Sequence, residues 1–229
     1  MIISLSGKMG SGKNTTANVI QYIIDSKESG FTLSESNYND YIKNKHYLKC
    51  KFEQKSFAGK LKLIASMLTG ATLEQLEDQD FKKLDIGPDW GMTYRELLQK
   101  LGTEIMRDKV HPNVWVNALF ADYHPTPNKS MDESFMEQFV TGSSEIHYTL
   151  PNWIITDMRF PNEMDAVKAR GGITIRVNRT NRWNKPQDIE HASETALDNH
   201  EFDYVIDNNG SISDLIDKVK DILTLNNII

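Results

Sequence analysis

The chain has 229 residues and one cysteine, Cys50. A lone cysteine cannot close an internal disulfide or build a cysteine-based metal site, so nothing in the sequence asks for an oxidising compartment. Long hydrophobic runs are missing too, and no apolar stretch approaches the ~20 residues of a membrane span. The opening Met1-Ile2-Ile3-Ser4-Leu5 is too short and too uncharged to read as a signal peptide, and it runs straight into a glycine motif. Positive charge is in deficit. Against 32 Asp and Glu there are 26 Lys and Arg, a net charge of −6, which argues against a general nucleic-acid binder with its basic face. Free nucleotides stay open, because a few Lys and Arg can gather around a phosphate inside an acidic protein. His and Cys with metal-ligand spacing are absent, so no structural zinc is expected.

What is present reads as alternating strands and helices. Ile2–Ser6 is a short β-prone run, and Ala17, Ile20, Ile23 and Ile24 follow at helical spacing. Residues 25–54 carry no clean period and read as an irregular excursion with one strand near Tyr47–Phe52. A helix fits Phe57–Leu68, stopped by Gly70. Thr93 with Glu96 is a capping box, continued by Leu97, Leu98, Leu101 and Ile105. Pro112 suits the first turn of a helix carrying Val114, Val116, Leu119 and Phe120. Trp153–Thr156 is a buried-type strand, Pro161 opens a helix, and Ile173–Val177 and Tyr204–Ile206 are further strands. Asn208-Asn209-Gly210 is a turn before a closing helix, Ile212–Leu223. The pattern gives an α/β fold with a central parallel sheet and helices on both faces. We expect one domain over 1–229, with polar insertions near 25–56 and 124–152 and a lid-like segment near 178–200.

Gly7-Lys8-Met9-Gly10-Ser11-Gly12-Lys13 fits the first seven positions of a phosphate-binding P-loop. Glycines let successive N–H groups turn toward an anion, the next helix adds its positive N-terminus, and the lysine reaches the β- and γ-phosphates. The following position should be Ser or Thr on Mg²⁺; here it is Asn14, whose amide oxygen could accept a metal-bound water. Thr15 is placed to donate to the α-phosphate. Asp157 follows a strand and Arg159 lies two residues on, where an open parallel sheet puts its ligands. Asp157 would hold Mg²⁺ through water and Arg159 would neutralise a transferring phosphate; the alternative is a helix-capping Asp beside a surface Arg. Trp115 is either core or a base-stacking ring, and His191 either touches nucleotide or caps a helix.

The residues Ser11-Gly12-Lys13-Asn14-Thr15-Thr16-Ala17 resemble the loop of phage deoxynucleoside monophosphate kinases, in which an aspartate stands where this chain has Asn14. Further segments resemble that family in the same order. They are Phe57-Ala58-Gly59 with Lys62, Arg95 with Leu98–Glu104, Trp115-Val116, Asp157-Met158-Arg159 with Asn162–Ala166, His191–Glu194 and Asn208–Ser211. The resemblance implies a three-layer P-loop nucleoside-kinase-like fold with lid and insert segments, ATP as donor, a deoxynucleoside monophosphate as acceptor, and Mg²⁺. It places Gly7, Gly10, Ser11, Gly12, Lys13, Asn14 and Thr15 on the donor, with Asn208 and Asn209 near its base. Arg95 and Arg159 go toward the acceptor or transferring phosphate, with Asp157 beside them. Lys62, Trp115, Arg179, Arg182, His191 and Glu194 are substrate or lid candidates. The expected partners are small-molecule nucleotides, with no nucleic acid or membrane; a homodimer stays open, and a cytoplasmic location (the host's, if phage-encoded) is implied.

An acceptor phosphate has a second pKa near ~6, so its attacking oxygen is already anionic at neutral pH and needs no general base. Two alternatives compete: a P-loop kinase acting on a hydroxyl, as dephospho-coenzyme A kinase does, and a non-kinase ATP-binding switch.

Overall fold

The structure is a computed structural model that describes residues 1–48, 50–127, 148–180 and 192–229. Strands β1 (Ile2–Ser6), β2 (Glu53–Lys55), β3 (Trp153–Ile155), β4 (Ile173–Asn178) and β5 (Tyr204–Asp207) pair in parallel in the order β2-β3-β1-β4-β5. A two-residue antiparallel pair, Thr126–Pro127 with Tyr148–Thr149, stands apart from this sheet. Period-two alternation feeds two cores. Ile3, Leu5, Ile154, Ile175 and Ile206 pack on one side against helices α1 (Lys13–Ser29), α2 (Glu35–Asn44) and α9 (Ile212–Leu225). Ile2, Trp153 and Ile155 pack on the other against α3 (Gly59–Thr69), α6 (Val114–Phe120) and α7 (Pro161–Lys168). Those faces make the three expected layers. Among the described residues no helix is long and apolar enough to cross a membrane.

A smaller cluster, Ala65, Ala71, Leu76 and Leu97, joins α3 to α4 (Leu73–Glu77) and α5 (Tyr94–Gln99). The predicted capping box at Thr93 holds, and a second one, not predicted, opens α9. Thr93 Oγ1 accepts from Glu96 N and Glu96 returns the bond, and Ser211 and Asp214 do the same at α9. After α5 the chain continues as an over-wide helix over Lys100–Val110, in which His111 N reaches back to Met106 O. The last described helical turn before β5 is α8 (Ala192–Thr195).

Four local expectations change. Residues 35–44, read as irregular, form α2, capped by the Ser34 side chain on Asn37 N; Tyr38 is buried, and Tyr41 and Ile42 complete a stripe against the core. The strand expected near Tyr47–Phe52 lies instead at Glu53–Lys55, preceded by a 3₁₀ turn at Lys45–Tyr47. The helix expected from Phe57 begins at Gly59, and the Phe57 and Ala58 amides just before it donate to the Asp157 carboxylate. Pro112 sits before the α6 cap, Asn113, rather than in the first turn. Most of the 124–152 insertion and of the lid-like segment lies outside the described residues.

Candidate active site

All five strands end on one side, and the segments that leave them converge. The loop after β1 needs its glycines. Gly7 has φ +150°, and a Cβ there would lie 2.3 Å from Val177 O; Gly12 has φ +96°, and a Cβ there would meet Asn208 Nδ2 at 2.2 Å. No L side chain fits either position. Gly12 is the N-cap of α1, so Lys13 stands at its positive end. Its ammonium bonds Gly7 O at 2.6 Å and Lys8 O at 3.0 Å. Burial pushes the Lys13 pKa down to about 8; Arg159 pushes the same way, against Glu194 and Asp157. Thr16, one turn in, ties its hydroxyl back to Gly12 O at 3.0 Å.

Beside this loop, Met158 N bonds Leu5 O at 3.1 Å and the Met158 side chain is buried, which pins the segment after β3 to β1. Asp157 and Arg159, flanking it, both reach the cleft. Asp157 accepts from Phe57 N at 2.7 Å and Ala58 N at 3.0 Å, so it caps the start of α3. Asn at 157 would set an amide N–H₂ against one of these backbone donors. Asp157→Asn is therefore expected to cost about 1–2 kcal/mol of stability, read from the thermal or urea midpoint.

Arg159 is mounted from behind. Its N–H donates to Glu163 Oε2 at 2.8 Å, as does Phe160 N at 3.1 Å, while Glu163 Oε1 takes Arg107 Nη2 at 2.7 Å. Glu163 is 2% exposed, and burial pushes its pKa up to about 7, with Asp157 adding to the rise; the backbone amide of Arg159 and the Arg107 guanidinium pull the other way. The Arg107 guanidinium also stacks on Phe160, 3.8 Å from the ring centroid. On its cleft side Arg159 pairs with the Glu194 carboxylate. The second oxygen of Glu194 accepts from Met9 N at 2.8 Å, so a carboxylate occupies one of the loop amides. Lys8 secures the same segment, through Glu194 O at 2.6 Å and Asp198 at 2.5 Å.

These groups line one cleft of about 1010 Å³. It brings together Gly10, Gly12, Lys13, Asn14 and Thr15 at one end and Lys62, Arg95 and Trp115 at the other, with Asp157, Arg159, Arg179 and Glu194 between or beside them. Gly7 and Ser11 shape the loop without lining the cleft. Asn208 braces the loop, its Nδ2 donating to Ser11 O at 2.9 Å, while Asn209 Oδ1 accepts from Thr180 N, after β4, at 2.7 Å. Trp115 is buried in the core cluster, yet it touches the cleft and donates Nε1–H to Gly102 O at 2.7 Å. Lys62 is paired with Glu77, and Arg95 reaches Gln79 Oε1 at 3.2 Å. Arg182 and His191 lie outside the described residues.

Sequence reasoning passed over three residues in this cleft: Arg107, Glu163 as the mount of Arg159, and Lys82. A signal existed for the first. Arg95, Gln99, Thr103 and Arg107 recur every four residues and all line the cleft, so the stripe that begins at Arg95 extends to Arg107. Glu163 stands three residues after the α7 cap, Phe160, which is the capping-box position. Lys82 carries no such local mark.

The comparisons with known proteins agree with this geometry. The family model for deoxynucleotide monophosphate kinase matches residues 24–219. That match begins after the glycine loop, which therefore stands on the sequence motif and geometry of this chain. A protein of Acanthamoeba polyphaga mimivirus, provisionally named as a deoxynucleotide monophosphate kinase, is 27% identical over 223 residues, 96% of this chain and 94% of its own length. The deoxynucleotide monophosphate kinases of Enterobacteria phage T4 and Escherichia phage RB69 are 30% and 29% identical over 139 residues, 61% of this chain. The aligned part is 48% and 47% of those two phage proteins, about half their length. With its central parallel sheet, a glycine loop at the end of β1 and a family match over most of its length, the chain belongs to the deoxynucleotide monophosphate kinase family.

Proposed function

We infer that this chain carries out the reaction of its family, phosphoryl transfer to a deoxynucleoside monophosphate, with ATP as donor and Mg²⁺ as counterion. The observation that carries the reading is that one cleft holds Lys13 at the glycine loop together with Lys62, Lys82, Arg95 and Arg159, and that Arg159 lies within electrostatic reach of both Lys13 and Lys82. A transferring phosphoryl group must pass between two anions, and catalysis is then alignment plus cancellation of charge. The loop amides and Lys13 bind the donor phosphates, and Arg159 offers a planar fork to the group in flight. Glu163 and Arg107 hold the Arg159 backbone in place. The Glu194 carboxylate, on Met9 N–H and Arg159, uses the donors that a phosphate would use, so an incoming triphosphate competes with it.

The donor set suits a hard cation held mainly by phosphate and water. Both Asp157 oxygens already accept backbone N–H bonds, Asn14 is exposed at the cleft, and among the described residues no three His, Cys, Asp or Glu side chains stand ready to hold a metal. Asn14 would contribute an amide oxygen, and Asp157 a water-mediated contact. Mg²⁺, when bound, would neutralise the β- and γ-phosphate oxygens.

A steady-state panel tests the reading: ATP and Mg²⁺ with each common ribo- and deoxyribonucleoside monophosphate, and with hydroxyl acceptors. We expect diphosphate formation from one or more deoxynucleoside monophosphates. Transfer only to a sugar or pantetheine-linked hydroxyl, or ATP hydrolysis indifferent to any monophosphate, would overturn it.

A further inference from the structure

Lys82 has no role in the sequence motifs. It lies in a 3₁₀ turn, Phe81–Lys83, between α4 and α5. Two contacts place that turn. Asp78 Oδ1 accepts from Phe81 N at 2.6 Å, and the Phe81 ring packs on Tyr94 at 4.7 Å between centroids, at the edge of the cluster holding Leu76 and Leu97. With Phe81 anchored inward, the next side chain is delivered to the cleft wall.

Its surroundings are poor for an ammonium. Lys82 is partly buried, and the cations that act on it are Lys62, Arg95 and Arg159. The acid that acts on it, Glu77, is already held by Lys62. Among the described residues the Lys82 ammonium makes no hydrogen bond or ion pair. Burial first and Lys62 second push its pKa down to about 8. A half-desolvated cation among cations is unfavourable in the empty protein and favourable once an anion arrives. The same Arg159 acts on Lys13 at the glycine loop, so its guanidinium is within electrostatic reach of both lysines in the cleft.

We propose that Lys82 is a substrate-touching residue of the acceptor site, its ammonium binding the incoming monophosphate dianion together with Arg95, on the opposite side of Arg159 from the donor. This rests on the kinase reading above. It assigns the 3₁₀ turn to substrate binding and makes the charge at 82 a cost to the empty fold that the acceptor relieves.

The test compares wild type with Lys82→Met and Lys82→Arg in the full chain, using the deoxynucleoside monophosphate that wild type phosphorylates best. For Lys82→Met we expect KM for that monophosphate to rise at least about tenfold and KM for ATP to stay within about twofold. The melting temperature of the empty protein should hold or rise, and the upward shift produced by the monophosphate alone should disappear. The shift produced by ATP should remain. Lys82→Arg should recover most of the monophosphate affinity. Unchanged KM values in Lys82→Met would overturn the proposal, as would equal increases for both substrates with a lower melting temperature, the mark of a structural residue. If wild type binds the monophosphate but transfers nothing to it, the kinase reading fails, and the thermal shifts of the two variants still decide the role of Lys82. If wild type neither binds nor phosphorylates any monophosphate, both fail.

Discussion

Lys13→Ala is expected to lower kcat by about 10²–10³-fold while leaving the melting temperature within about 2 °C of wild type. The two halves of this expectation have different causes. On the proposed reading Lys13 binds the donor phosphates, and its charge matters most as the β–γ bridge accumulates charge in the transition state. In the empty loop the ammonium is satisfied by two carbonyls, Gly7 O and Lys8 O, but burial disfavours its charge, so little stability is lost with it. The depressed pKa adds a second signature. Below about 8 the free protein carries the Lys13 charge, and above it the charge is lost, so wild-type KM for ATP should increase as pH passes through that value. In Lys13→Ala this dependence should be absent. A variant with wild-type turnover would remove the glycine loop from the mechanism.

Arg159→Ala is expected to reduce kcat by about 10²–10³-fold with KM for ATP changed no more than about threefold. The main chain at 159 is held by Glu163 and by Met158 packed under β1, so truncating the side chain leaves the mount intact. What is lost is the guanidinium proposed to meet the transferring phosphoryl group. It also frees Glu194, which keeps its bond to Met9 N–H and stays in the cleft facing Lys13 without its guanidinium partner. Arg159→Lys should recover little, because an ammonium restores charge without the planar two-donor fork. Stopped-flow or quench measurement of the transfer step separates this from an effect on release. A pure rise in KM for ATP, with kcat intact, would make Arg159 a ground-state binding residue.

How far the sequence carried can be read from particular residues. Gly7, Gly10, Gly12 and Lys13 announced a phosphate loop because the motif is local: seven consecutive residues fix the turn and the helix start. The capping box at Thr93 was legible for the same reason. Helix α2 was not, because its stripe is built from Tyr38, Tyr41 and Ile42 in a polar stretch, where aromatic rings do the burying that aliphatic side chains do elsewhere. Asp157 was correctly placed at the cleft, and both of its candidate roles involved its carboxylate. That the carboxylate caps α3 follows only from the approach of Phe57 and Ala58, a hundred residues away in sequence.

The sequence by itself determined the alternation of strands and helices, the glycine loop and the order of segments that marks the family. Each depends on neighbours in the chain, where spacing and side-chain type act directly on backbone conformation. Only the tertiary structure decided which charges meet. Arg107 finds Glu163 across 56 residues, Glu194 reaches Arg159 across 35 and Met9 across 185, and Lys82 comes to the cleft wall on a turn with no motif of its own. Electrostatic interaction acts through space and burial, and neither is written in local spacing.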